Sequence, residues 1–274
     1  MRITPTTAVL LAAASAALHP AHADLIGVNY STGAVFSIDE HTASATELGE
    51  LVRGVMGIAS APDGMLYAIT DGISGQLLQI DPGDWSANPV GGLGAGFTFE
   101  GGLAFDGAGH AIGGSRLAGG GRGLFEIDLA TGSIGHTIVL DRTAADLNGL
   151  HFRDDGVLVG IDGDANEFVS VDLVTGEVTT IAALITPDAG SVGGLTALGD
   201  VGYYVTAGTV SGSDGDNALY RIDLHTGSQT RIGTLGPDAG SGFGIGGLVG
   251  VVPTPGGAAL LGLGGLIATR RRRN

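Results

Sequence analysis

The sequence repeats a strand-like segment that ends in an aliphatic residue followed by Asp. Its copies end at Asp39, Asp81, Asp128, Asp172 and Asp223, and successive copies are 42, 47, 44 and 51 residues apart. A period of this length is typical of solenoids, propellers and other repeat architectures. The last three copies continue as Asp-Leu-x-Thr-Gly. Because Asp accepts hydrogen bonds from backbone amides just after it and Gly adopts positive φ, each copy predicts a hairpin turn.

A second repeated element is Gly followed by Leu or Ile, and in three of the five copies another Gly precedes it. Its glycines are Gly57, Gly102, Gly149, Gly194 and Gly247. Glycine at such positions suits strands that crowd together around a common axis, where a side chain would not fit. The first four copies are followed by a turn and a second strand, but the segment at 247–252 has no such successor before the C-terminal region. Conversely, residues 25–30 have the pattern of the strand that follows such a turn, but no glycine-bearing strand precedes them.

These two unpaired strands complement each other. They predict an all-β fold, a five-bladed β-propeller of four-stranded blades that is closed by pairing of the N- and C-terminal strands. An open β-sandwich or a solenoid is the competing architecture, and neither accounts for an unpaired strand at each end. The predicted organisation is a signal peptide at 1–23, the propeller at 24–252 and a sorting tail at 253–274.

Composition restricts the chemistry available to this body. The chain has no Cys, which excludes disulfides, thiolate metal sites and thiol catalysis. Residues 24–252 hold 28 acidic residues and 7 arginines, a formal charge of −21. We therefore expect no nucleic-acid partner, because binding that polyanion requires clustered Lys or Arg. Such a charge would attract divalent cations or cationic surfaces, although solubility or a saline habitat accounts for it equally well.

Both ends of the chain have the composition of addressing segments. Arg2 precedes an apolar stretch, and an A-x-A sequence ends at Ala23, which predicts a secretory signal cleaved after Ala23. At the other end, Pro253 and Pro255 precede an apolar segment at 256–269. As a helix this segment would span about 21 Å, less than the ~30 Å hydrocarbon core, so we expect only transient membrane association. The terminal cluster, which favours the cytoplasmic side of a membrane, consists of Arg270, Arg271, Arg272 and Arg273.

This C-terminal arrangement resembles the PEP-CTERM sorting tail of Gram-negative bacteria. The resemblance rests on the Val-Pro-x-Pro-Gly start, the Leu/Gly/Ala-rich segment and the Arg cluster, with Thr254 where such tails usually carry Glu. It implies an exosortase-type processing enzyme as partner, removal of the tail near Pro253 and Pro255, and delivery to the cell surface or the extracellular matrix. An ordinary C-terminal anchor is the alternative, and it also describes an exported protein.

Within the body, the segment at 219–228 resembles blades of secreted bacterial propellers of the NHL and gluconolactonase-like groups. Propeller ligands usually bind at the axis, on the face with the loops that enter the innermost strands. The candidate axial-pocket residues are Arg53, Glu100, Asp146, Asn148 and His151. The gluconolactonase-like group implies a Glu, an Asn and an Asp around one divalent cation, roles for which Glu100, Asn148 and Asp216 are available. Acids placed singly at the rim of a channel are the alternative.

Two acidic loops are candidate calcium sites. Asp162, Asp164 and Asn166 have the 1, 3, 5 spacing of a calcium-binding loop, and Asp214 and Asp216 form a shorter version in the next repeat. Hairpin turns also account for both clusters. The sequence thus predicts Ca²⁺ as a possible cofactor and assigns no catalytic residue, since no nucleophile with a partner base is evident.

Taken together, these features predict an exported, noncatalytic propeller that acts as a binding or interaction module at the cell surface or in an exopolysaccharide matrix. Its partner would be a surface polysaccharide or a protein. The alternative is a divalent-metal-dependent hydrolase or lyase, lactonase-like, with an axial metal site.

Overall fold

The computed structural model describes residues 24–72, 75–94, 101–117, 121–142, 146–186, 192–206, 217–240 and 242–251. In these ranges the regular elements are β-strands, arranged in five antiparallel four-stranded sheets. The predicted five-bladed propeller is therefore confirmed. The predicted signal peptide and sorting tail lie outside the described residues. Within the part of the chain that is described, no helix is long and apolar enough to cross a bilayer.

Four blades use consecutive strands, and the first combines the two ends of the chain. From the axis outward, blade 1 contains β20 (Ile245–Val251), β1 (Asp24–Asn29), β2 (Ala34–Ile38) and β3 (Ala45–Glu50). Blade 2 contains β4 (Val55–Ser60), β5 (Leu66–Thr70), β6 (Gln76–Ile80) and β7 (Ala87–Gly92). Blade 3 contains β8 (Leu103–Phe105), β9 (Ala111–Arg116), β10 (Arg122–Ile127) and β11 (Ile134–Val139). Blade 4 contains β12 (Leu147–Phe152), β13 (Leu158–Asp162), β14 (Glu167–Val171) and β15 (Val178–Ala183). Blade 5 contains β16 (Val192–Leu198), β17 (Val201–Thr206), β18 (Ala218–Asp223) and β19 (Gln229–Thr234).

The ring is closed by the antiparallel pair β1 and β20, as the two unpaired strands of the sequence predicted. Ile26 lies opposite Val249, and Val28 lies opposite Gly247. Both strands are buried along most of their length, with Leu25 and Val28 at 0% exposure. Burial of these aliphatic side chains offsets the entropy lost when the chain ends are brought together.

The repeated glycines form a closed ring around the axis. A Cβ atom placed on each would lie next to a backbone nitrogen of the following blade's inner strand. The distances are 2.7 Å from Gly57 to Leu103, 2.6 Å from Gly102 to Leu150, 2.6 Å from Gly149 to Leu195, 2.6 Å from Gly194 to Leu248 and 3.1 Å from Gly247 to Ile58. In four of the blades a β-bulge directly precedes this glycine. The prediction that glycine permits the inner strands to crowd together is confirmed.

The hydrophobic core is divided among the spaces between blades. Five clusters of buried residues each join two adjacent blades, and neighbouring residues of one strand contribute to different clusters. Leu158, for example, packs towards blade 3 and Val159 towards blade 5. Because the middle strands are covered on both faces, they are almost uniformly apolar rather than alternating, as at Leu66–Thr70.

The Asp repeat forms the same turn in every blade, between the third and fourth strands. In the third blade, Asp128 Oδ1 accepts hydrogen bonds from the amides of Ala130 at 2.7 Å and Thr131 at 3.0 Å. The residue four positions after each Asp has positive φ, even where it is Ala43 or Trp85. Each turn packs against the outer strand of the preceding blade. For Gly176 the space is so small that a Cβ would lie 2.1 Å from the carbonyl oxygen of Val139.

The propeller has two unlike faces. The tight turns within each blade, including 39–44 and 153–157, lie on what we call the turn face. The loops that enter the inner strands and those that join second to third strands, including 51–54 and 163–166, lie on the opposite loop face. Every inner strand runs from the loop face to the turn face.

Candidate functional site

The axis of the propeller is almost filled at its loop-face end. The cavity there measures about 10 Å³ and is lined by the axial glycines with Met56 and Asn148. A water molecule needs at least about 10–15 Å³, and small-molecule sites usually offer about 300–1,000 Å³. A ligand larger than water therefore has no room inside the described part of this end of the axis, and binding there must use side chains on the loop face.

A buried arginine joins blades 3 and 4 on the loop face. Arg122, at the start of β10, is 7% exposed. Its guanidinium lies 3.2 Å from Asp146 Oδ1 and 3.4 Å from Asp164 Oδ2. Asn148 Nδ2 is 3.4 Å from the other oxygen of Asp146. Two of the predicted acids thus share one arginine from the neighbouring blade.

A second arginine lies next to this pair. Arg142 Nη1 donates to Glu167 Oε2 at 2.6 Å and lies 3.6 Å from Asp162 Oδ2. Its other terminal nitrogen donates to Thr180 Oγ1 at 2.7 Å. The hydrogen bond from Thr180 and the contact with Arg142 lower the pKa of Glu167, so this carboxylate stays ionised.

Asp162 connects the two ion pairs. Its Oδ1 accepts hydrogen bonds from the backbone amides of Asp146 at 3.2 Å and Ala165 at 3.1 Å. Its Oδ2 has no hydrogen-bond partner, although the residue is only 1% exposed. The equivalent strand ends of blades 1 and 5 carry buried neutral residues, Asn29 and Thr206. We call this group the arginine–carboxylate network, formed by Arg122, Arg142, Asp146, Asp162, Asp164 and Glu167.

Of the predicted site residues, Asp146, Asn148, Asp162 and Asp164 are brought together in or beside this network. Asn166 has positive φ at 58°, and its side-chain oxygen accepts a hydrogen bond from Thr186 at 3.0 Å. Glu100, Asp214 and Asp216 lie outside the described residues. Among the residues that are described, no three His, Asp or Glu side chains are arranged so that they could hold a metal ion. Calcium binding at these loops stays a prediction.

Arg53 belongs to a different part of the loop face, near Tyr30 and Asp71. Tyr30 donates its hydroxyl proton to Asp71 Oδ2 at 2.6 Å. This hydrogen bond, together with burial and the charge of the carboxylate, raises the pKa of Tyr30 to about 12. Gly54, the residue after Arg53, donates its amide to the Tyr30 carbonyl at 2.9 Å and accepts from the Asp71 amide at 2.7 Å.

His151 lies at the opposite end of the axis from the loops. It lines a cavity of about 90 Å³ at the turn face together with residues such as Ser60, Thr196 and Gly250. Burial lowers the pKa of His151 to about 4, against a smaller opposing effect of Asp154, so the imidazole is neutral at pH 7. The sequence placed His151 on an innermost strand correctly, but the strand carries it away from Asn148.

Sequence reasoning did not identify the arginines of the network. Arg122 begins the third strand of its blade and Arg142 follows the fourth, so neither lies in the acidic loop that it neutralises. A usable signal was their rarity, since residues 24–252 contain only 7 arginines among 28 acids. In a chain with so few arginines and so many acids, we expect an arginine at a loop-face strand end to pair with carboxylates.

The sequence matches no protein-family model and no curated protein. Solved structures with a similar fold include a protein of unknown function from Bacteroides caccae, 14% identical over 84% of this chain and 99% of that one, with a TM-score of 0.50. A chain of a nidogen/laminin complex is 12% identical over 84% of this chain and 98% of that one, with a TM-score of 0.51. At these identities the similarity shows the fold alone.

Protonation of His151 should make stability depend on pH. Its pKa is about 4 in the folded state and about 6.5 in the unfolded chain, so stability is full above pH 6.5 and falls as pH drops towards 4. Between pH 7 and pH 5 we expect the free energy of unfolding of the wild type to fall by about 2 kcal/mol more than that of His151→Gln, measured by urea titration.

His110→Gln is the matched control. The exposed His110 has its pKa raised by Asp106, so its contribution has the opposite sign and its loss should steepen the fall in stability rather than reduce it. Equal pH dependence in the wild type and His151→Gln would contradict the burial of a neutral imidazole.

Proposed function

We propose that this chain is an exported, noncatalytic β-propeller that acts as a binding or interaction module at the cell surface or in the exopolysaccharide matrix of a Gram-negative bacterium. The observation that carries the proposal is the division between the two faces. The described ends of the propeller, Asp24 and Val251, lie on the turn face, while Arg53 and the half-exposed Phe243 lie on the loop face opposite.

The positions of the chain ends follow from the closing strand pair. Asp24, the first residue of β1, lies opposite Val251, the last residue of β20. Since β20 runs towards the turn face, the described chain begins and ends side by side on that face. A tail that enters a membrane would therefore hold the turn face towards the membrane and present the loop face outward.

Export and processing are proposed from the terminal sequences. Removal of the signal peptide after Ala23 would leave Asp24 as the first residue, which is also where β1 begins. An exosortase-type enzyme would then cut near Pro253 and Pro255, just beyond the end of β20 at Val251. Both cuts would leave the closing strand pair complete, so the released propeller keeps its ring.

The noncatalytic assignment is supported by the loop-face end of the axis. Between the described inner strands the cavity is about 10 Å³, far smaller than a site for a small-molecule substrate. The acids around Asp146 and Asp162 are paired with Arg122 and Arg142, which reduces their ability to act as free bases or metal ligands.

Processing can be tested in a Gram-negative host that contains an exosortase-type enzyme. We expect intact-mass spectrometry of the surface or matrix fraction to give a chain that starts at Asp24 and lacks the Arg270 to Arg273 cluster. With Pro253 and Pro255 both changed to Ala, the tail should be retained and the protein should stay in the membrane fraction.

Pro89→Ala is the control, because this exposed proline lies on an outer strand of the propeller. It should be processed like the wild type. Recovery of wild-type protein at the surface with its full tail would contradict the sorting proposal, and recovery in the cytoplasm with residues 1–23 intact would contradict export.

The second candidate, a divalent-metal-dependent hydrolase or lyase, is favoured by one observation, the buried Asp162 Oδ2 without a hydrogen-bond donor. A cation beside this oxygen would compete with Arg142, which lies 3.6 Å away. Because Oδ1 is already occupied by two backbone amides, the metal would depend on Oδ2 and on oxygens of neighbouring residues.

Calcium binding predicts a stability change by mass action. If the native state binds Ca²⁺, the melting temperature should rise with calcium concentration, reverse with chelator, and lose its calcium dependence in Asp162→Asn, with Asp238→Asn as an exposed control. At a free concentration about 100 times the Kd, the gain would be about 2.7 kcal/mol. Equal melting temperatures with calcium and with chelator would contradict calcium binding, on which this second candidate function depends.

A further inference from the structure

The loop face carries a second cluster of side chains, which lies outside the arginine–carboxylate network. We call it the Tyr30 patch, and it consists of Tyr30, Arg53, Asp71 and Phe243. The patch is assembled from four different loops that meet where the closing blade contacts blade 2. Its combination of an exposed ring, a carboxylate, a hydroxyl and a guanidinium differs from the acid-rich remainder of the surface.

Backbone hydrogen bonds hold these loops together. The Tyr30 amide donates to the carbonyl of Gly244 at 2.9 Å, and the Gly54 amide donates to the carbonyl of Tyr30 at 2.9 Å. The Asp71 amide in turn donates to the carbonyl of Gly54 at 2.7 Å. This continuous series fixes the relative positions of the loops before any ligand arrives, which reduces the entropy that binding would cost.

The apolar part of the patch is Phe243, which is 47% exposed. Its ring lies 5.3 Å from that of Tyr30 at an interplanar angle of 83°, an edge-to-face contact. The Phe243 amide donates to Ser31 Oγ at 3.0 Å, so its backbone is also tied to the Tyr30 loop. This half-exposed aromatic ring offers an apolar surface that the described part of the fold does not cover.

The polar part of the patch has a defined pattern of donors and acceptors. The hydroxyl proton of Tyr30 is committed to Asp71 Oδ2, and the phenol stays protonated because its pKa is about 12. The oxygen of Tyr30 therefore remains an acceptor, as does the side chain of Asp71, which also accepts from the Gly72 amide. Arg53 is exposed and supplies donors from the adjoining loop.

This combination matches the chemistry of a sugar ring. A pyranose has an apolar face of C–H groups, which packs on an aromatic ring, and a rim of hydroxyls that both donate and accept hydrogen bonds. Since the body carries a formal charge of −21, polyanionic chains are repelled from the molecule as a whole. An uncharged glycan avoids that repulsion and still satisfies every group in the patch.

We propose that the Tyr30 patch is a binding subsite for uncharged sugar residues of a polysaccharide. The proposal rests on the proposed function as a binding module and names its ligand class. Phe243 supplies the surface on which the ring packs, while Tyr30, Asp71 and Arg53 contact its hydroxyls. The turn face takes no part, so a propeller held by its C-terminal end keeps the patch accessible.

The test is affinity electrophoresis of the purified protein in gels that contain a neutral glucan, either dextran or laminarin, or the anionic polysaccharide alginate. We expect the wild type to be retarded by a neutral glucan and not by alginate. Phe243→Ala should weaken the retardation at least about tenfold, as expected for loss of an aromatic anchor, and Asp71→Asn should weaken it less.

Val174→Ala is the matched control, since this valine is 93% exposed and lies in a turn of the opposite face. It should bind like the wild type, and all variants should keep the wild-type melting temperature. Binding of a neutral glucan that Phe243→Ala and Asp71→Asn leave unchanged would overturn the patch but not the binding-module function. Binding of alginate alone, or of no polysaccharide, would overturn the ligand class. Failure of the proposed function itself is detected by a different experiment, the intact-mass analysis that shows where the processed chain is found.

Discussion

The structure depends on how closely its inner strands approach one another at the axis. Each repeated glycine presses against a backbone nitrogen of the next blade, and Gly247 against Ile58 completes the circuit. Only a hydrogen atom fits at the four tightest positions, where a Cβ would lie 2.6–2.7 Å from that nitrogen. The same approach that makes a ring of five blades possible also fills the loop-face end of its axis.

Much of the fold could be predicted from sequence because its determinants are local and repeated. The Asp turns, the axial glycines and the unpaired strands at the two ends each follow from a short motif, and together they specify the closed ring. The candidate site was only partly predictable. Asp146, Asp162 and Asp164 lie together through contacts with Arg122 and Arg142, which arrive from distant strand ends, and this pairing depends on blade geometry. His151 lies three positions after Asn148 on an inner strand that runs from one face to the other, so it is found at the opposite end of the axis.

The two faces divide the chemistry of the molecule. On the turn face, Asp side chains such as Asp128 are occupied with backbone amides, and both chain ends depart from it. On the loop face, one side holds the arginine–carboxylate network, in which two arginines contact four carboxylates, and another holds the Tyr30 patch, whose exposed ring has no counterpart in the network. The described chain ends and the Tyr30 patch thus lie on opposite faces.

The most direct test of this account is the effect of one methyl group at the axis. Gly149→Ala would place its Cβ 2.6 Å from the Leu195 nitrogen, whereas Gly92→Ala, on an outer strand, meets no atom within 4 Å. We expect the free energy of unfolding, measured by urea titration, to fall by about 3 kcal/mol for Gly149→Ala and to stay the same or rise by up to about 1 kcal/mol for Gly92→Ala. Equal stabilities of the two variants would contradict the claim that close approach of the inner strands determines the ring.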